Sequence, residues 1–168
     1  MAAEKELLKT PKFTVVERDF ANGKSTIIRH PGAVVILPFV DEDHVCLILN
    51  QRKAVDQKLY ELPAGTLEPG EPPLNTAYRE LAEETGYTAQ TMTPLLDYFV
   101  SPGIMDERMY VFVAQDLNRG QQNLMEDEEI DTLIVSFNEV ISWIRTGRIQ
   151  DAKTIATILY YREFGFAS

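Results

Sequence analysis

The order of segment types predicts an α+β fold: strand-like runs come first, then a helix, more strands and a helical tail. Three observations carry that expectation. An Asn-Gly turn sits between β-branched runs, a mid-chain helix is bracketed by Pro72-Pro73 and Gly86, and two further helices open on capping residues at Ser136 and Asp151.

Phe13–Arg18 and Ser25–Arg29 flank Ala21-Asn22-Gly23-Lys24, and Asn-Gly is a strong short-range hairpin signal. Two hydrophobic strand-type runs follow, Ala33–Val40 and Val45–Asn50, joined by the acidic turn Asp41-Glu42-Asp43. Further strands are expected at Leu95–Ser101, Met109–Ala114 and Thr132–Ser136. The first helix starts at Pro72-Pro73, where proline suits a first turn, and stops at Gly86, which suits the position just past a helix end. Ser136-Phe137-Asn138-Glu139 is a capping box whose helix ends at Gly147, and Asp151 opens a third helix running toward Gly165. Leu74, Ala77 and Leu81 are expected to form the face of the first helix that packs on a sheet. Residues 1–31 read as an N-terminal β-hairpin or small separate sheet, whose lack of a partner would favour dimerisation, and residues 32–168 as the main domain.

A chain of 168 residues can bury a core without disulfides, and the single cysteine, Cys46, lies in the apolar stretch His44–Leu49. Cys46 is expected in the core, and one cysteine is too few for a thiolate zinc site. The longest apolar run, Ala33–Leu37, is far short of the ~20 residues that cross a bilayer. The N-terminus has no signal-peptide pattern, so a soluble, cytoplasmic protein without membrane partners is expected. A net charge of −10 argues against nucleic-acid binding, which needs clustered Lys and Arg, but it admits a small anionic substrate if a metal ion supplies positive charge. Gly23-Lys24-Ser25 lacks the upstream glycine of a phosphate-binding P-loop, and Asp41-Glu42-Asp43 lacks the spaced ligands of a calcium loop. His30 and His44 fall at strand edges and read as structural or solvent-facing.

The end of the first helix is Arg79-Glu80-Leu81-Ala82-Glu83-Glu84-Thr85-Gly86. Glu80, Glu83 and Glu84 share one face, at the negative end of the helix dipole, and each like-charge pair costs a few tenths of a kcal/mol. Two readings are open for such a turn: a solvated acidic face, or a set of hard oxygen ligands for Mg²⁺ or Mn²⁺.

The preceding context favours the second. Gly65, Glu71, Arg79-Glu80-Leu81, Glu83-Glu84, Gly86 and Tyr87 stand at the spacing Gly-x5-Glu-x7-Arg-Glu-(apolar)-x-Glu-Glu-x-Gly-(apolar). This resembles the box of the Nudix hydrolase family, with Tyr87 the one departure from the commoner aliphatic residue. The resemblance implies a mixed sheet sandwiched between helices and metal-dependent hydrolysis of a nucleoside diphosphate linked to another group. It implies that Glu80, Glu83 and Glu84, with the Ala64 carbonyl, hold the metal, that Arg79 orients the glutamates, and that Glu71 ties the loop to the helix. Gly65 and Gly86 would serve bends that a side chain would obstruct.

Outside the box the chain is similar to the ADP-ribose and nucleoside-diphosphate-sugar pyrophosphatase branch. Glu61-Leu62-Pro63-Ala64-Gly65 is that branch's usual lead-in, Ser101-Pro102-Gly103-Ile104-Met105-Asp106-Glu107 resembles its Ser-Pro-Gly-x-x-x-Glu segment, and Pro102 falls fifteen residues after Tyr87. Glu126–Glu129 resembles an acidic loop that supplies a catalytic glutamate, and Asp151-Ala152-Lys153-Thr154 also looks like this branch. The resemblance implies Glu128 as general base, with Glu129 or Glu107 as alternatives, and Arg52, Arg29, Glu61, Pro102 and Glu107 as substrate-binding residues. Arg29 or Lys24 of the N-terminal sheet would lie near the ligand. The expected activity is Mg²⁺-dependent cleavage of a nucleotide sugar, with ADP-ribose first and GDP-mannose or another sugar nucleotide next, by a homodimer. A triphosphate or dinucleoside polyphosphate pyrophosphatase and a non-catalytic sensor are the rivals.

Overall fold

The computed structural model describes residues 4–124 and 129–166. An antiparallel sheet of β1 (Glu4–Lys9), β2 (Thr14–Phe20) and β3 (Gly23–Arg29) opens the chain. The Asn-Gly turn pairs β2 with β3 as the sequence indicates. β1 was not expected: Glu4-Lys5-Glu6-Leu7-Leu8-Lys9 has neither alternation nor β-branched residues, all six are exposed, and only the ladder to β2 makes it a strand.

Next come β4 (Ala33–Pro38), β5 (His44–Arg52), β6 (Gln57–Glu61), β7 (Ala64–Thr66), α1 (Pro73–Thr85), β8 (Tyr87–Phe99), β9 (Arg108–Arg119), β10 (Ile130–Ser136), α2 (Phe137–Arg145) and α3 (Ala152–Phe164). One sheet has the order β7-β4-β9-β8 and is mixed, because β4 and β9 run parallel while their outer neighbours are antiparallel. A second sheet, β10-β5-β6, is wholly antiparallel.

Alternation along the central strands sets the layering. Val34 and Ile36 of β4 and Phe112 and Ala114 of β9 face α1, where they meet Ala77, Leu81 and Cys46. Val35, Leu37, Val111 and Val113 face the opposite way, onto Val45 and Leu47 of β5 and Trp143 and Ile158 of α2 and α3. β4 is covered on both faces, so it reads as an unbroken apolar run. This is the α+β arrangement expected, with the mixed sheet between helices. Cys46 is fully buried, and burial pushes its thiol up to about 12.

All three helix ends match their sequence signals. Gly86 is left-handed at φ +73° and returns its N–H to the Ala82 carbonyl, while Ser136 and Asp151 accept from the backbone N–H groups of Glu139 and Thr154. The strands β8 and β9 run well beyond the apolar stretches that mark them, because their outer halves carry polar residues on a half-solvated face. β6 and β7 were missed, being short and rich in polar residues or glycine. Leu74 corrects another expectation: it is 41% exposed, and α1 is anchored by Ala77 and Leu81 with Thr76 and Thr85 buried beside them. Among the described residues no helix is long and apolar enough to cross a membrane.

β3 is the side of the N-terminal sheet that meets the main domain. Ile28 donates to the Ile104 carbonyl at 2.9 Å and accepts from Asp106 N–H at 3.2 Å, while Arg29 binds the Asp106 carboxylate at 2.7 Å. The segment between β8 and β9 is therefore stitched to the N-terminal sheet.

Replacing Leu81 by Ala is expected to cost about 2–5 kcal/mol in urea unfolding, the range for a buried leucine, whereas Leu74→Ala should cost less than about 0.5 kcal/mol.

Candidate active site

The acidic end of α1 is organised by one guanidinium. Arg79 donates from Nε and Nη2 to the two oxygens of Glu71, at 3.2 and 3.0 Å. Its Nη1 donates to Glu80 at 2.7 Å and Glu83 at 3.0 Å. Glu71, in the loop ahead of α1, is thereby tied to the helix two turns away. The hydrogen bonds from Arg79, reinforced by its charge, hold the Glu71 carboxyl down at about 2, and the same bonds push Arg79 well above its ordinary range.

Glu84 lies on the other side of this cluster, 4% exposed, and accepts from the Ala64 N–H at 2.9 Å. That bond fixes the carboxylate to β7, which in turn pairs with β4, so the helix end and the sheet edge share one rigid frame. Gly65 has a steric reason to be glycine: a Cβ there would stand 1.8 Å from the Glu80 carboxyl carbon. Gly86 has two, its positive φ and a would-be Cβ 2.9 Å from the Gln121–Gln122 backbone.

The segment after β9 closes the helix end. Gly120 N–H donates to the Gly86 carbonyl at 2.7 Å, Asn123 N–H to the Glu83 backbone carbonyl at 3.0 Å, and the Gln122 side-chain amide to the Glu84 backbone carbonyl at 2.6 Å. These donors satisfy carbonyls at the negative end of the helix and bring the chain alongside α1 just before the acidic run. Sequence reasoning missed them, since a glutamine and two backbone amides carry no motif. Glu126 and Glu128 lie outside the described residues; Glu129 is exposed immediately before β10.

A second charged group supports the lead-in loop. Glu61 is fully buried, and Arg52 grips it from Nε and Nη2 at 2.7 and 2.5 Å. Lys153 donates to the same carboxylate and to Asp151 at 2.8 Å. Asp151 also accepts from the Thr154 hydroxyl, which accepts from the Leu62 N–H at 2.8 Å. Two cations and two carboxylates thus lock β5, β6 and the start of α3 behind the box, so the Asp151–Thr154 resemblance has a structural counterpart.

The described residues expected at the site fall into four places. Ala64, Gly65, Glu80, Glu84 and Arg52 line one cleft of about 330 Å³, with Glu61 buried behind Arg52 and Glu83 held at its edge by Arg79. Pro102 and Arg29 line a different recess, of about 270 Å³, against Phe20 and Asp106. Glu107 is largely buried, 3.5 Å from His30 Nδ1. Lys24 is exposed and paired with Glu17 at 2.6 Å.

The donor set suits a hard divalent cation: carboxylate oxygens and backbone oxygens, with no thiolate or imidazole in the cleft. Among the described residues no three acidic, His or Cys side chains are placed to hold a metal ion, and Glu80 and Glu83 are both bonded to Arg79 Nη1. The cradle against Gly65, which only a residue without Cβ leaves open to the Glu80 carboxylate, is the feature that fits a ligand at Glu80.

The NUDIX domain model matches residues 29–158. The chain is 38% identical over 151 residues to an ADP-ribose pyrophosphatase of Bacillus subtilis (strain 168), covering 87% of this chain and 82% of that one. It is 36% identical over 154 residues to a methanol dehydrogenase activator of Bacillus methanolicus, covering 89% and 83%. A crystal structure of an ADP compounds hydrolase superposes with a TM-score of 0.80 at 25% identity, covering 96% of this chain and 91% of that one.

The depressed Glu71 carboxyl has a pH signature. A lowered folded-state pKa gives stability that is present above the ordinary value of 4.5 and is lost as pH falls through about 2. In metal-free protein, the stability difference between wild type and Glu71→Gln should be full above pH 4.5 and shrink toward zero near pH 2, as urea titrations at successive pH values would read.

Proposed function

This chain belongs to the Nudix family, and on that premise we propose that it hydrolyses the pyrophosphate bond of a nucleoside diphosphate sugar. The products are a nucleoside monophosphate and a sugar phosphate, and ADP-ribose is the first substrate to expect, with GDP-mannose or another sugar nucleotide next. The observation that carries the reading is the intact acidic cluster, with Glu80 and Glu84 lining the same cleft as Ala64 and Gly65. The relative named ADP-ribose pyrophosphatase and the neighbour named ADP compounds hydrolase support the adenine-nucleotide choice.

Mg²⁺, with Mn²⁺ as a substitute, would be held by Glu80, Glu83, Glu84 and the Ala64 carbonyl. Bound there, it would neutralise the diphosphate oxygens and activate a water nucleophile. The chain's own contribution is to hold the carboxylates still. Arg79 fixes Glu80 and Glu83, the Ala64 N–H fixes Glu84, and the Glu61 group stiffens the loop between them. Glu128 is proposed to take the proton from the attacking water, with Glu129 or Glu107 as alternatives. Arg52 would face the diphosphate with its orientation set by Glu61, while Arg29, Pro102 and Glu107 would meet the more distant part of the substrate. The N-terminal sheet, with Leu7 and Leu8 about half exposed on β1, is proposed to pair two copies into a homodimer.

Product analysis by ³¹P NMR with Mg²⁺, across ADP-ribose, GDP-mannose, other sugar nucleotides, ATP and diadenosine polyphosphates, tests the reading. A nucleoside monophosphate plus a sugar phosphate from a sugar nucleotide is expected. Selective turnover of ATP or the polyphosphates, or no turnover at all, would contradict it. Glu84→Gln should lower the rate about a hundredfold or more with the circular dichroism unchanged; a variant keeping over half the wild-type rate would remove Glu84 from the metal set.

A further inference from the structure

The turn joining β1 to β2 is fixed by a single side chain. The Thr10 hydroxyl accepts from the Phe13 N–H at 2.9 Å and the Lys12 N–H at 3.3 Å, and donates to the Phe13 carbonyl at 2.8 Å. The Thr10 N–H reaches the same carbonyl at 2.9 Å. Pro11 removes a further backbone freedom.

This closed turn stands at the catalytic cleft, where Pro11 and Lys12 share the lining with Arg52, Gly65, Glu80 and Glu84. On its other side lies a recess of about 380 Å³ bounded by Lys9, Phe13, Arg29 and His30. The turn therefore divides two cavities and is held in place by its own hydrogen bonds.

Charge sorts the cations around the cleft. Arg79 is shared among Glu71, Glu80 and Glu83, and Arg52 is forked onto Glu61. Lys12, by contrast, is exposed and makes no ion pair among the described residues. A diphosphate entering here meets two cations already neutralised by protein carboxylates, in a chain of net charge −10. Beside the contact proposed for Arg52, Lys12 is a cleft cation with no carboxylate partner among the described residues, on a flexible stem that suits a point contact with a phosphate oxygen.

We infer that Lys12 is a substrate-contact residue whose ammonium binds the diphosphate of the nucleotide, delivered over the cleft by the Thr10-locked turn. The assignment rests on the sugar-nucleotide reading above and adds a contact from a segment outside the box and outside the residues 29–158 that match the family.

The test is steady-state kinetics of the full chain with Mg²⁺ on the sugar nucleotide it turns over, for Lys12→Ala, Lys12→Glu and Lys12→Arg. Losing one charged hydrogen bond made equally in ground and transition states should raise KM about tenfold in Lys12→Ala with kcat within about twofold. Lys12→Glu should raise KM further and Lys12→Arg should stay near wild type. ADP binding with Mg²⁺, read by calorimetry, should weaken about tenfold in Lys12→Ala. Unchanged KM and unchanged ADP binding in the Ala and Glu variants would overturn the contact and leave the substrate reading standing. A wild-type chain that turns over no sugar nucleotide, yet binds ADP in a Lys12-dependent way, would overturn the substrate reading and keep the contact.

Discussion

Arg79 makes an otherwise unfavourable helix end foldable. Three carboxylates, one from the preceding loop and two from the helix itself, gather on one guanidinium where the helix dipole is negative. Without that cation, like charges and the dipole would push in the same direction. With it, Glu71 becomes a tether between loop and helix, and Glu80 and Glu83 acquire fixed positions. The close approach of Glu80 to Gly65, the bond from Ala64 to Glu84 and the backbone donors of Gly120–Asn123 all depend on the helix ending in that place and orientation.

The same logic recurs behind the site. Glu61 is a fully buried carboxylate, which is costly unless it is paired and hydrogen-bonded. Arg52 and Lys153 supply the pairing, and Asp151 balances the second cation while capping α3. Both groups set carboxylates against arginine or lysine at short range, so the strongly acidic chain brings its cations to the cleft already partnered. Lys12, from the turn joining β1 and β2, joins them at the cleft without a carboxylate partner among the described residues.

Much of this was legible in the sequence because it rests on local rules. The ends of α1, α2 and α3 were marked by Pro72-Pro73, Gly86, Ser136 and Asp151, whose capping chemistry acts within a few residues. The buried strands β4 and β5 were marked by continuous apolar runs, and the acidic cluster by spacing along one helix. The elements that went unseen are those made by tertiary pairing. β1 is exposed throughout and is a strand only because β2 lies beside it, β7 is three residues held to β4, and the Leu74 position points away from the sheet although its periodicity suited packing. At the site, the box glutamates could be read from their spacing. The Gln122 and Asn123 clasp, the Lys153 contact to Glu61 and the reach of Lys12 into the cleft could not, since they join residues far apart in the chain.

The role given to Arg79 is tested most directly by urea unfolding of wild type and Arg79→Gln in metal-free buffer at pH 7. Removing the shared cation from a partly buried cluster of carboxylates should cost more than about 2 kcal/mol. A loss below about 0.5 kcal/mol, the range of an ordinary surface substitution, would mean that the acidic helix end stands without its arginine.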